Sequence, residues 1–282
     1  MLPPFEAPRL KLRRAERHLD ELRQEITAFL GRKPFRLVVE RPPEWNHSWE
    51  VYAWTIRIGE AIPVGLSAII GDTVHNLRTA LDLLACDLVR LNGGNTKGVY
   101  FPFAADASGL SHQIRDKNLN RAAGDVVQLF RSFRPYRGGN RALRAIHDLD
   151  IQDKHQALIP VANVVDAPGG TLVWEGQPNK IPPWKSPITH DGQMLVMMPA
   201  VANWALGDEV PATFGLIFSE DEILANRVVI EALHELTELV AGIIEAFEVL
   251  CASRKNNYTP PASEPPKGHR SLIIGSTRQM PP

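Results

Sequence analysis

The stretch from Pro63 to Gly93 limits this chain's fold more than any other. Ile70, Val74, Leu77, Leu81, Leu84, Leu88 and Leu91 recur at alternating steps of four and three, the period of a helix buried along one face. Beside that seam runs a polar stripe of Asp72, His75, Arg78 or Thr79, and Asp82, again three or four apart, so these side chains share one surface. Ionisable groups beside a core seam are costly unless they are paired or used. The stripe is therefore where a site is expected. Pro63 stands where a helix tolerates proline, and Asn92-Gly93-Gly94-Asn95 closes the segment.

The rest of the chain builds around this helix. Leu12, Ala15, Leu19, Leu22, Ile26 and Phe29 predict a first helix over Arg9–Leu30, with mixed charges on its outer face and Gly31 at its end. Period-two alternation predicts strands at Phe35–Glu40 and Trp49–Ile58, an antiparallel pair joined through Pro42, Pro43 and Asn46. Helical pieces are expected at Leu110–Asp116, Arg121–Phe133 and Asn140–Asp150. Strands are expected at Thr171–Trp174, Met194–Met198 and Thr213–Phe218, making one sheet of about five strands with the early pair. Glu220, Asp221 and Glu222 suit the first turn of a long last helix. The fold class is α+β, a helical core with a small, mostly antiparallel sheet, in one domain over residues 1–252. Prolines 260, 261, 265, 266, 281 and 282 predict a disordered tail over 253–282.

Charge narrows the partners. A net charge of −1 argues against the whole surface acting as a nucleic-acid or membrane binder. The span 115–144 is different, with eight basic residues against two acidic, a local excess that suits phosphates or a solvated face. Glu220–Glu248 carries eight acids and one base, and packing near the basic stretch is the simplest use of them. Two cysteines, Cys86 and Cys251, make no disulfide framework, and neither a signal-peptide core nor a membrane-length apolar run is present, so a cytoplasmic location is expected.

Gly71-Asp72, His75-Asn76-Leu77-Arg78, Ala80-Leu81-Asp82, Phe101-Pro102 and Asp153-Lys154-His155 occur in an order that resembles a family of uncharacterised bacterial and phage proteins. The resemblance covers roughly residues 64–160. In that family a histidine often follows the aspartate of the central helix, giving Arg-x4-His, similar to the RNA-cleaving motif of HEPN-domain helical proteins. Leu83 stands at that position here. The resemblance implies HEPN-like helices, pairing into a homodimer, and a metal-independent ribonuclease of defence or toxin type as one reading. Arg141/His147, one of four Arg-x4–6-His pairs where chance gives about two, lies in the basic stretch close to Asp153-Lys154-His155.

RNA cleavage without metal needs a base, an acid and a cation for the phosphorane charge. His75, Arg78 and His155 are the catalytic candidates. Arg78, Lys154, Arg141 and Arg144 are candidates for phosphate, and Asp72, Asn76, Asp82 and Asp153 for support. The bland alternative is a structural ion network. The third reading is a metal held by Asp72-x-x-His75 and Glu231-x-x-His234, although the further glutamates of a di-iron bundle are missing. The expected set is thus no metal, no cofactor and no membrane, with RNA or another phosphate-bearing ligand as partner. Serine-hydrolase, P-loop and dinucleotide signatures are absent.

Overall fold

Two long antiparallel helices, α1 (Glu6–Gly31) and α2 (Gly65–Leu91), form the spine of the computed structural model. It describes residues 2–42, 50–155, 161–167, 170–174, 177–199, 205–219 and 224–256. The seam of α1 is buried from Leu12 to Phe29, as is that of α2 from Ile70 to Leu88; only Leu91, at the helix end, is 42% exposed. Two polar ties fix their register. The amide of Phe5 donates to Asp87 at 2.9 Å, and Lys11 Nζ donates to Asn76 Oδ1 at 3.2 Å. The last helix, α6 (Val229–Asn256), buries Val229, Leu233, Leu236, Val240, Ile243, Ile244 and Phe247 against the pair.

Short helices α3 (Leu110–Asp116) and α4 (Gly124–Ser132) follow α2, and α5 (Arg141–His155) lies across it. Phe101, Phe103, Phe130 and Phe247 form a chain of ring contacts 4.5–5.3 Å apart that links the Phe101-Pro102 segment, α4 and α6. Such rings bury large apolar areas and fix relative helix positions.

The strands are antiparallel, as expected, but they do not form one sheet. Strands β1 (Phe35–Glu40), β2 (Val51–Ile58) and β7 (Met194–Pro199) make one three-stranded sheet; β6 (Trp184–Ile188), β3 (Val161–Ala167) and β8 (Thr213–Phe218) make another; β4 (Gly170–Trp174) and β5 (Gln177–Ile181) make a hairpin. The free edge of β1 is taken by residues 207–210, with Val39 N to Asp208 O at 2.9 Å and Val210 N to Leu37 O at 2.7 Å. This pairing ends at Val210, before β8 begins at Thr213. The two sheets meet instead through side chains, Phe35 and Phe214 lying 5.7 Å apart.

Other boundaries also moved. α5 runs through Asp153 and Lys154, whereas the sequence pattern ended it at Asp150. α6 starts at Val229, so Glu231 is its first-turn acid; residues 220–223 lie outside the described residues. The acids of α6 do not meet the basic stretch: Glu248 pairs with Arg9 and Glu235 with Arg227, and it is Arg254 that reaches Asp125. α6 also continues four residues past the expected boundary at 252; the proposed tail from 257 onward lies outside the described residues. Among the described residues, no helix is long and apolar enough to cross a membrane.

Candidate functional site

The polar stripe of α2 faces α5. Gly71, His75, Arg78 and Asp82 recur at helical spacing on α2, while Asp153, Asp150 and His147 recur every three residues on α5. The helices run antiparallel at this junction, so the two series meet in register. Gly71 lies against Asp153, His75 against Asp150, and Arg78 beside His147.

The closest approach is at Gly71. A Cβ there would lie 2.2 Å from Asp153 Oδ1 and 2.6 Å from its Cγ. Only a residue without a side chain lets that carboxyl rest on the α2 backbone. Asp153 has no hydrogen-bond partner among the described residues. Burial, followed by the neighbouring Asp150 and Asp72 carboxylates, raises its pKa.

One turn along, His75 Nδ1 donates to Asp150 Oδ1 at 3.0 Å. The carboxylate of Asp150 is 6% exposed and the imidazole 43% exposed. A buried acceptor thus holds one nitrogen of a half-exposed ring. Thr79 Oγ1 stands 3.5 Å from the ring's Nε2. The second oxygen of Asp150 accepts from Lys154 Nζ at 2.8 Å. One buried carboxylate therefore orients a histidine and a lysine from two helices, and the paired charges offset its burial.

Further along, Arg78 is committed to the scaffold. Its guanidinium pairs with Asp82 and lies 4.6 Å from the centre of the Phe103 ring, and the residue is 9% exposed. Asp82 also accepts the Phe101 amide at 2.8 Å. Burial raises its pKa, against the opposing pull of Arg78 and that amide. His147 stacks on the same Phe103 ring at 4.6 Å and 7°. Burial, together with the Arg78 and Arg144 charges, lowers its pKa to about 4, and its buried Nδ1 has no hydrogen-bond partner among the described residues.

Of the sequence-predicted residues, His75, Asp153 and Lys154 come together around Asp150. Asp72 is exposed on the rim, and Asn76 turns to α1, donating back to the Asp72 carbonyl at 2.8 Å. Arg144 does not join them: it pairs with Asp148 and donates to the Ala104 carbonyl at 3.0 Å. Arg141 is exposed at the far end of α5. His155 closes α5, and its side chain lies outside the described residues. Among the described residues, no three His, Cys, Asp or Glu side chains are grouped to hold a metal ion, so Asp72/His75 and Glu231/His234 form no shared centre. Sequence reasoning missed Asp150 as a site residue and named His147 only as the partner of Arg141, which lies at the far end of α5. Their signal was the three-residue step from 147 through 150 to 153, legible only once α5 is extended past Asp150.

No protein-family model, no curated protein and no solved structure matches this chain.

Proposed function

We propose that the α2–α5 junction is an acid–base site acting without metal on a phosphate-bearing ligand, RNA being the class to test, in a cytoplasmic protein. The observation that carries this is the His75–Asp150 pair: a half-exposed imidazole whose Nδ1 is held at 3.0 Å by a buried carboxylate. A carboxylate in that position fixes the tautomer with Nε2 free to take a proton. Asp153, with its raised pKa, suits the acid, since an acid and a base held in different environments divide the two roles. Lys154 is the cation nearest this group. Resemblance to HEPN-type proteins supports the ligand class, with His75 in place of the histidine that Leu83 replaces.

The test is incubation of the full chain with labelled RNA in chelator, beside His75→Ala and Asp150→Ala. Cleavage that falls about 10²–10⁴-fold in His75→Ala at unchanged RNA affinity supports the site. A second reading, a structural clamp of α5 on α2, is favoured by the approach of Asp153 to Gly71 and by the burial of Arg78. It holds if no sample cleaves and both variants lose stability. The proposal includes a homodimer, supported by the exposed Leu10, Leu91 and Val249 around the Arg9–Glu248 end of the bundle.

A further inference from the structure

We propose that the turn between α4 and α5, carrying Arg134, Arg137 and Arg141, is a docking surface for the phosphate backbone of single-stranded nucleic acid. This deepens the acid–base reading and rests on it for the ligand class alone.

All three arginines are exposed. Arg137 lies 3.9 Å from Asp148 with 71% of its side chain exposed, and Arg141 makes no ion pair or hydrogen bond with its side chain among the described residues. The nearby acid, Asp148, is held by Arg144 at 2.5 Å, so it does little to neutralise the turn. Arg134 lies against Tyr136, its Nε donating to the phenol oxygen at 3.2 Å.

The turn is closed on itself. The Tyr136 and Asn140 amides both donate to the Arg134 carbonyl at 2.8 Å, and the Gly139 amide donates to Tyr136 at 2.9 Å. Gly138 takes φ +81°, and a Cβ on Gly139 would meet the Arg134 carbonyl at 2.3 Å and the Tyr136 ring at 2.8 Å. These bonds place Arg134 beside the start of α5, where Arg141 follows. Three guanidinium groups are thus presented from a backbone already ordered, which lowers the entropy lost on binding.

The chemistry selects the partner. Arginine forks match phosphate oxygens in a way that lysine does not, and the turn carries arginine only. None of the exposed large apolar side chains among the described residues falls within residues 131–144, so the turn offers no apolar anchor to a membrane. Arg141 and Asp150 are nine residues apart on α5, about 14 Å at 1.5 Å per residue, which a strand of a few nucleotides spans.

The test is fluorescence anisotropy of the full chain with a labelled uridine 12-mer, in chelator, from 50 to 200 mM salt. Binding with a log–log salt slope of about −2 is expected for three neutralised phosphates. Arg137→Gln/Arg141→Gln leaves the Arg134–Tyr136 contact intact. It should weaken binding about tenfold at 50 mM salt and flatten the slope by about 1.4. Arg137→Lys/Arg141→Lys should keep the slope. Arginine-dependent binding without cleavage sustains this inference and removes the acid–base reading. No binding by the wild type at 50 mM salt, a Gln variant with wild-type affinity and slope, or tighter binding of the same length as a duplex overturns it.

Discussion

Replacing Gly71 by alanine sets two effects of known sign against each other. On an exposed helix, Gly→Ala stabilises by up to about 1 kcal/mol, because glycine loses more backbone freedom on folding. In this protein the new Cβ falls 2.2 Å from Asp153 Oδ1, 2.6 Å from Cγ and 2.8 Å from Oδ2. All three lie inside any real contact distance, so the carboxyl must swing out or α5 must lift. Overpacking of this kind costs roughly 1–3 kcal/mol. The atoms met are the end of a part-exposed side chain that can rotate away, so the cost sits at the low end of that range and cancels the helix gain, and Gly71→Ala should be near neutral. The carboxyl of Asp153 is disfavoured as an anion by burial and by Asp150 and Asp72, so Asp153→Ala should be near neutral. In Gly71→Ala/Asp153→Ala the obstacle is gone while the helix gain remains, so the double variant should exceed Gly71→Ala by about 1 kcal/mol. Urea unfolding of the four proteins measures the coupling directly. If Gly71→Ala alone gains as much as the double variant, so that no coupling appears, Asp153 does not rest on the α2 backbone and the α2–α5 junction is packed differently.

Stability should also fall on acidification through His147. Its pKa is below the ordinary value, so the unfolded chain takes the proton first; the loss begins near pH 6.5 and is complete near pH 4. The 6.5-to-4 difference sets a ceiling of about 3 kcal/mol, and solvent screening of a partly exposed ring brings it to about 1–2 kcal/mol; in His147→Phe the pH 4–6.5 slope of urea midpoints should be shallower. Arg78→Gln should cost about 2–3 kcal/mol, since it leaves Asp82 short of its partner and Phe103 short of its cation; an unchanged melting temperature counts against a scaffold role. Light scattering should give twice 31.4 kDa at tens of micromolar protein, and Val249→Asp should return the single mass.

Much of the fold was legible because helical seams are long and strongly periodic. Those of α1 and α2 are buried at nearly every position chosen from spacing, and β1 matches its expected residues end to end. Strands β5 and β6 were not legible. Gln177–Ile181 and Trp184–Ile188 carry Pro178, Pro187, Lys180 and Lys185, which read as loop. Their pairing comes from partners elsewhere in the chain. The same holds for the site. The stripe of His75 and Arg78 was visible as a one-helix pattern, but a single helix does not say which member meets a partner. Arg78 turned inward onto Phe103 and Asp82, while His75 met Asp150, a residue the boundary of α5 had hidden.

The central claim is that Asp150 holds His75 with Nε2 free, and long-range ¹H–¹⁵N NMR of the imidazole at a pH where the ring is neutral tests it most directly. The wild type should show the Nδ1–H tautomer. Asp150→Ala should shift the ring towards the Nε2–H form, while His147 keeps its signals. An Nε2–H tautomer for His75 in the wild type, or one indifferent to Asp150→Ala, would contradict the account, because that nitrogen would then have no lone pair with which to take a proton.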